Sequence, residues 1–287
     1  MNPELVRVTP FMAARQNVHD AQIVMFGCPF DGTSSYRPGS RFAPPAIRQV
    51  SDGIETYSPI LKADLEDINF ADAGDLNLPF GDVEKALDIT YRMASALYAN
   101  GQIPAALGGE HLLTLPLFKA AVEAHPEAVI VQFDAHLDMR NNYLGVTFSH
   151  ATVMRRISEM VEASRILQVG PRSGTRDEFQ FSESLGVLRP ATVTAKEIQK
   201  WIGGKPIYVT VDLDVLDPSV LPGTGTPEPG GVSFSTLETW LSGLAGCQWI
   251  GWDVMELSPM LDASQVSSVV AAKVARTMLL ASAAPDS

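Results

Sequence analysis

An alternation of acidic residues and a histidine marks residues 132–140, QFDAHLDMR. Asp134, His136 and Asp138 occupy every second position directly after the apolar run 128–131. In an extended chain, residues two apart project to the same face, so these three side chains would converge. Two carboxylates beside an imidazole repel each other unless a cation lies among them. The spacing therefore indicates a divalent metal site, with a polar strand end that runs into a solvated turn as the alternative.

Two further apolar runs end in potential metal ligands. In VTVDLDVLDP, Asp212 and Asp214 are again two residues apart, whereas Asp217 precedes a proline and is expected to be a turn residue. In ALGGEH, the run ends in two glycines and His111, for which a hydrogen-bonded histidine near a helix start is the alternative. Together the three run ends supply two histidines and four aspartates to one expected crevice.

This donor set is too large for one tetrahedral zinc ion, which takes four ligands. It suits a pair of divalent ions about 3.5–4 Å apart, an arrangement that activates water at neutral pH. Ligation by oxygen and imidazole without thiolate favours manganese, with zinc, iron and cobalt as alternatives. The sequence therefore predicts a hydrolytic site that holds two Mn²⁺ ions per chain.

Composition narrows the class of protein and of partner. Of the 287 residues, 46% are hydrophobic and 19% are charged, which is typical of a globular protein. The net charge of −12 argues against nucleic acid and anionic membranes as partners and permits a small cationic substrate. Cys28 and Cys247 have no partner at metal-ligand spacing and are expected to be buried thiols.

The two ends of the sequence bear on its location. The first residues lack the sustained apolar segment of a secretory signal. Lys273 and Arg276 interrupt the apolar stretch near the other end, which argues against a membrane span. We therefore expect a cytoplasmic protein.

Apolar runs alternate with helical patterns along the chain. Because the runs are continuous rather than alternating, they predict strands of a parallel sheet covered on both faces. Helices are predicted after Asp82 and at two capping boxes, Thr194 with Glu197 and Ser235 with Glu238. The predicted strands are 23–26, 103–107, 128–133, 165–169, 207–211 and 249–255.

This alternation favours one doubly wound α/β domain over residues 1–287 rather than two domains. The three ligand-bearing segments then lie at the carboxyl ends of parallel strands. Open α/β sheets bind their ligands at this edge, so the location favours a functional site.

The motifs, taken in order, resemble those of the ureohydrolases, the family of arginases and agmatinases, and the agmatinase branch most. Several motifs in one order over nearly the whole chain make the resemblance specific. They are PFDGTSSYRPGSRFAPPAIR (29–48), GGEH, DAHLDMR, SHATVMRRI (149–157), DLDVLDP, GTGTPEPGG (223–231) and MELSP (255–259). The resemblance implies an arginase-like three-layer α/β/α sandwich with a mostly parallel sheet, assembled as a homotrimer or homohexamer.

For the metals, the resemblance implies two overlapping ligand sets, with Asp134 and Asp212 bridging the ions. The sets are His111, Asp134, Asp138 and Asp212 for one manganese, and Asp134, His136, Asp212 and Asp214 for the other.

His150 in SHAT and Glu256 in MELSP match two further functional positions of the family. The resemblance implies that Glu256 receives the substrate guanidinium and that His150 contacts substrate and shuttles protons, with Asp138 as a relay at the metals. Without the resemblance, Ser149 and His150 would be interpreted as a helix start. Glu256 would be interpreted as an exposed carboxylate.

The implied reaction converts agmatine and water to putrescine and urea. Guanidinobutyrate or another guanidino acid is the first alternative substrate, and arginine is the second. A catalytically silent metal-binding protein of the same fold is the alternative outside the enzymes, since a fold does not fix a function.

Three residues in or near the motifs have no assigned role. Leu112 stands where many relatives have serine, and Pro171 stands where an aliphatic residue is more usual. The first is expected to loosen a hydrogen bond behind the site and the second to reshape a rim loop. Glu228 is interpreted either as a rim carboxylate that repels a substrate carboxylate or as a structural turn acid.

Overall fold

A nine-stranded sheet runs through the centre of the fold. The computed structural model describes residues 5–283, and a short ribbon of Tyr57–Ser58 with Ala63–Asp64 lies apart from the sheet. In chain order the strands are β1 (Leu5–Val6), β2 (Ile23–Cys28), β3 (Tyr57–Ser58), β4 (Ala63–Asp64), β5 (Phe70–Leu76), β6 (Ile103–Gly108), β7 (Val129–Phe133), β8 (Ile166–Val169), β9 (Leu188–Arg189), β10 (Ile207–Asp212) and β11 (Trp249–Met255).

The sheet is parallel except at one edge. Its order is β1-β5-β2-β6-β11-β10-β7-β8-β9, with only β1 and β5 antiparallel among the described strands of this sheet. At the centre, Val209 of β10 is in register with Val131 of β7 on one side and Trp252 of β11 on the other. The carboxyl ends of β6, β11, β10 and β7 therefore lie side by side at one edge.

Helices cover both faces and complete three layers. Because alternate strand residues face opposite sides, Val131 packs into one apolar cluster and Ile130 into the other. The predicted α/β/α sandwich with a mostly parallel sheet is confirmed. Within residues 5–283 the α-helices are α1 (Ala43–Ser51), α2 (Val83–Ala99), α3 (Thr114–Ala124), α4 (Val153–Ser158), α5 (Arg176–Leu185), α6 (Ala195–Ile202), α7 (Phe234–Ser242) and α8 (Val266–Ala283).

Each predicted strand occurs, and its boundaries lie within two residues of the predicted ones. Strand β5, which lies next to the edge strand β1, was not predicted, because FADAGDL contains two aspartates and a glycine instead of an apolar run. The predicted domain of residues 1–287 includes termini that lie outside the described range, so its extent stays a prediction.

The helix starts agree with the sequence except at α7. Asp82 caps α2 by accepting the N–H of Lys85 at 3.0 Å, and the predicted capping box of Thr194 with Glu197 is present. The predicted box of Ser235 with Glu238 is wrong. Ser233 caps α7 instead, because its hydroxyl accepts the N–H of Thr236 at 3.2 Å, and Ser235 lies inside the first turn.

Helix α8 is a core element. It is long and apolar enough to cross a membrane by length and composition, but 72% of it is buried inside the fold. Arg276 is buried on this helix and donates to the backbone oxygens of Glu55 and Tyr57 at 3.0 and 3.1 Å. The apolar character of α8 is therefore accounted for by packing within the protein.

The cysteines differ in burial. Cys28 is buried at the end of β2 and Cys247 is half-buried before β11, and neither forms a disulfide. The prediction of a buried thiol is correct for Cys28. It is wrong for Cys247, because that residue lies in the partly exposed turn after α7.

A buried ion network ties α1 to β5. Arg48, whose side chain is 1% exposed, contacts Asp72 at 2.7 Å and also pairs with Asp75. The guanidinium further donates to the backbone oxygen of Gly74 at 3.2 Å. Charged groups are tolerated here because each carboxylate has a cationic partner.

We expect Arg48→Met to lower the free energy of unfolding by about 3–5 kcal/mol, because two carboxylates would lose their buried partner. Arg92→Met is the matched control, since its pair with Asp88 is exposed and is worth less than about 1 kcal/mol. Urea unfolding in chelator at fixed protein concentration measures both. Equal losses for the two variants would contradict the structural role of the network.

Candidate metal centre

The four central strands deliver the predicted site residues to one place. After β6 the chain reaches His111, and after β11 it reaches Glu256. Asp134, His136 and Asp138 follow β7, while Asp212 is the last residue of β10 and Asp214 lies just beyond it. His150 reaches the same place from the loop before α4. The structure therefore brings together all eight predicted site residues.

His111 faces three of the aspartates. Its Nδ1 lies 3.1 Å from an oxygen of Asp134, 3.1 Å from one of Asp138 and 3.3 Å from one of Asp212. The Nδ1 atom is buried and has no partner with acceptable hydrogen-bond geometry. The chain reaches this position through Gly109, where a Cβ would lie 1.8 Å from the backbone oxygen of Phe30. Only glycine permits that close approach.

His136 lies beside a second pair of aspartates. Its Nδ1 is 2.9 Å from Asp214 and 3.7 Å from Asp134. The side chain of Asp134 therefore reaches both histidines, with Oδ2 toward His111 and Oδ1 toward His136. Asp212 lies nearer to His111, and its other oxygen accepts the backbone N–H of Asp214 at 3.0 Å.

The charges of this cluster depend on one another. Burial lowers the pKa of His111, but its contacts with Asp134, Asp138 and Asp212 outweigh burial and raise the pKa well above the ordinary value. Burial raises the pKa of Asp138 to about 7, and the charge of Asp134 adds to the increase. Burial also raises the pKa of Asp212 well above its usual range. These carboxylates can all stay ionised only if positive charge lies among them.

The geometry fits a pair of divalent cations. Octahedral ligands about 2.1 Å from an ion lie about 3 Å from each other, which matches the 3.1–3.3 Å spacings around the Nδ1 atom of His111. Two groups of the described residues can hold an ion, and they share Asp134. The groups are His111, Asp134 and Asp212, and Asp134, His136 and Asp214.

Glu256 is buried beside the cluster rather than exposed. Its Oε1 accepts the backbone N–H of His111 at 2.8 Å, and its own N–H donates to Gly109 at 2.9 Å. Burial raises the pKa of Glu256 to about 8, with a further contribution from the charge of Glu110. Its φ of 66°, like the φ of 52° at Asp138, lies in the left-handed region that costs a non-glycine residue about 1–3 kcal/mol. Such strain at two residues of the site is typical of functional positions.

His150 is held by the loop that follows β2. Its Nε2 lies 3.0 Å from the hydroxyl of Ser35, and its backbone N–H donates to Thr33 at 3.0 Å. Thr33 in turn donates to the buried carboxylate of Glu110 at 2.6 Å. The alternative interpretation of Ser149 is also correct, because its side chain caps the turn that begins at His150. The loop that follows β2 therefore contributes to the site.

A cavity of about 260 Å³ opens above the cluster. Glu228 lies in its wall, with Oε1 accepting the hydroxyl of Ser173 at 2.8 Å and 3.9 Å from Nε2 of His136. Arg140 also lines the cavity and lies 3.6 Å from Glu178. Besides these residues, the cavity is lined by Ser35, Asp138, Tyr143, His150, Asp212 and Thr226.

Three buried polar residues behind the ligands were not predicted. Gln132 donates to Asp134 at 2.6 Å, and Thr210 lies 2.9 Å from Nε2 of His111. Asp253 accepts from Thr210 at 2.6 Å. Each lies within a strand that is otherwise apolar, so a polar residue inside a predicted buried strand was the signal that could have identified them.

The chain is similar to known proteins in sequence and in fold. Residues 21–281 match the model of the Arginase family. Agmatinase from Bacillus subtilis (strain 168) is 40% identical over 279 residues, which cover 94% of this chain and 95% of the relative. The crystal structure of agmatine ureohydrolase of Thermoplasma volcanium superposes with a TM-score of 0.87 at 32% identity, covering 96% of this chain and 95% of that chain.

Proclavaminate amidino hydrolase from Streptomyces clavuligerus has a TM-score of 0.90 at 32% identity, covering 98% of this chain and 99% of that chain. The family match therefore extends over nearly all described strands and helices, including those that carry the metal centre. This chain belongs to the arginase family.

Proposed function

We propose that the protein is an agmatinase, which hydrolyses agmatine to putrescine and urea at a pair of Mn²⁺ ions. The observation that carries the proposal is the convergence of two histidines, four aspartates and Glu256 at the ends of four neighbouring strands. Relatives named agmatinase, 39–40% identical over 94% of this chain, support the choice of agmatine.

The proposed ligand sets extend the two groups around Asp134 by Asp138 and by a bridging Asp212, as the family resemblance implies. His111, Asp134, Asp138 and Asp212 would hold one ion, and Asp134, His136, Asp212 and Asp214 the other. Bound there, the two ions would lower the pKa of a water molecule and so supply hydroxide at neutral pH. Ligand chemistry favours manganese over ions that prefer thiolate.

Glu256 would position the guanidinium. The guanidinium carbon is a poor electrophile because its charge is spread over three nitrogens, so its orientation matters. Oε1 of Glu256 accepts the backbone N–H of His111. Oε2 of Glu256 lies beside Gly225, and a Cβ atom added to that glycine would be 3.9 Å from it. A charge-assisted contact from this carboxylate would fix the carbon for attack.

Proton transfer completes the reaction. A C–O bond forms at the guanidinium carbon, its bond to the alkyl nitrogen breaks, and that nitrogen must be protonated to leave as an amine. Asp138 would relay the proton from the attacking water, and His150 would exchange it with solvent. Burial, followed by the charges of His136 and His111, lowers the pKa of His150 to about 4, so the imidazole is neutral at pH 7.

The cavity wall would select the distal group of the substrate. Glu228 presents a carboxylate that attracts the ammonium group of agmatine and repels the carboxylate of arginine or guanidinobutyrate. Arg140 is the opposing cation, but Glu178 pairs with it at 3.6 Å.

The proposal also includes a homotrimeric or homohexameric assembly and a cytoplasmic location, both consistent with the family resemblance.

Metal stoichiometry tests the centre directly. We expect two ions per chain after manganese loading and about one in Asp214→Ala, because this variant removes a ligand from the His136 group only. Elemental analysis of desalted protein measures both values. One ion per chain in the parent, with Asp214→Ala changing neither metal content nor rate, would contradict a binuclear centre.

Glu256→Gln should retain both ions and lose most of its activity, because the proposed partner of Glu256 is the substrate cation. The expected loss in kcat/KM corresponds to about 2–5 kcal/mol of transition-state stabilisation. Urea release is measured beside metal content. Loss of metal, or normal hydrolysis, would show that Glu256 has another role.

Substrate choice tests the cavity wall. We expect kcat/KM for agmatine to exceed that for arginine at least about a hundredfold, equivalent to about 2.7 kcal/mol, since an anion without a partner is costly to bury. Glu228→Gln should reduce this ratio about tenfold or more by removing the repulsion. A urea-release screen over agmatine, arginine and guanidinobutyrate decides. Similar rates on agmatine and arginine, or a preference for guanidinobutyrate, would contradict the agmatinase assignment. The protein would then be a ureohydrolase with another substrate preference.

A further inference from the structure

A chain of buried side chains runs from His111 into the sheet. Nε2 of His111 lies 2.9 Å from Oγ1 of Thr210, and Oγ1 of Thr210 donates to Oδ1 of Asp253 at 2.6 Å. All three side chains are fully buried. None of the proposed catalytic steps uses Thr210 or Asp253, so this series of hydrogen bonds requires another explanation.

The direction of each hydrogen bond follows from counting protons. The carboxylate of Asp253 only accepts, and it receives Tyr208 at 2.7 Å, Thr114 at 3.0 Å and Thr210 at 2.6 Å. Each of these hydroxyls has one proton and gives it to Asp253. Thr114 also lies 3.3 Å from Thr210, but its proton is already engaged. The oxygen of Thr210 can therefore only accept from His111.

This direction determines the tautomer of His111. A neutral imidazole that donates from Nε2 has its lone pair on Nδ1. Nδ1 is the atom that lies 3.1–3.3 Å from the oxygens of Asp134, Asp138 and Asp212. The hydrogen bond on one side of the ring thus prepares the other side for a metal ion.

We propose that Asp253 is a positioning residue that sets the tautomer of His111 through Thr210, and thereby the affinity for the ion at the His111 group. The inference rests on the metal centre of the proposed function. Thr210 and Asp253 are register partners on the adjacent parallel strands β10 and β11, so rigid elements fix their contact. Partners of metal-bound histidines generally orient the ring and strengthen ligation in this way.

Asp253→Asn tests the direction of the hydrogen bonds with little change in shape. The amide oxygen would face the two donors Tyr208 and Thr114, and the amide nitrogen would donate to Thr210. The proton of Thr210 would then point at Nε2 of His111, opposing the tautomer that leaves Nδ1 free. We expect the affinity for one of the two ions to fall about 10–100-fold, while that for the other changes less than about threefold.

Matched variants separate the effect of hydrogen-bond direction from that of structural stabilisation. Thr210→Ser keeps the hydroxyl and should bind both ions as the parent does. Thr210→Val keeps the shape without the acceptor, and should weaken one ion about tenfold or more. Tyr208→Phe removes a different bond to Asp253, so it should lower the thermal midpoint without weakening either ion more than about threefold.

Calorimetric titration of chelator-treated protein with Mn²⁺ gives the two affinities. Spectra of ¹⁵N-histidine protein loaded with diamagnetic Zn²⁺ identify which imidazole releases its ion. Weakening confined to His111 in Asp253→Asn supports the inference. Parent-like affinity in that variant, weakening at His136 instead, or an equal loss in Tyr208→Phe overturns it.

Three further outcomes are distinguishable. If Asp253→Asn does not fold, the comparison of Thr210→Val with Thr210→Ser decides, and equal affinities overturn the inference. If the parent binds no ion at the His111 group, the proposed metal centre fails together with the inference. If the parent binds two ions and only the variants behave unexpectedly, the inference alone fails.

Discussion

Repulsion among four aspartates at the ends of neighbouring strands is the constraint on which this structure depends. Asp134, Asp138 and Asp212 lie around a single imidazole nitrogen, within 3.1–3.3 Å of it. Carboxylates this close cannot all stay ionised without positive charge among them. Two divalent ions would supply that charge and would also perform the proposed chemistry, so the requirement for stability and the requirement for catalysis coincide.

The sheet resists this repulsion because the ligands follow strands rather than flexible loops. Val131, Val209 and Trp252 hold β7, β10 and β11 in register through the apolar core. Gln132 and Thr210 precede the ligands by two residues on the same strand face and contact Asp134 and His111. The layer behind the ligands is thus a continuation of the strand pattern that produces them.

The sequence predicted the features that depend on neighbouring residues and missed the contacts that depend on which parts of the chain meet in the fold. Strand β7 and the polar residues after it could be recognised because the apolar run lies within a few residues of the alternating Asp134, His136 and Asp138. Thr210 and Asp253 meet only because β10 pairs with β11, 43 positions later. Ser35 meets His150 across 115 positions. Spacing along one strand carries no information about which strand becomes its neighbour, so these contacts required the structure.

Metal binding and folding are expected to be linked at this site. The left-handed backbone of Asp138 and the burial of the four ligand aspartates make the ligand geometry costly in the absence of cations. An ion that binds only the folded chain adds stability that grows with the logarithm of its concentration over its dissociation constant. The unfolded chain cannot reproduce a ligand set that draws on three separate strand ends. The ions therefore offset the strain and repulsion that the catalytic geometry introduces, and the rigid sheet keeps that geometry ready for them.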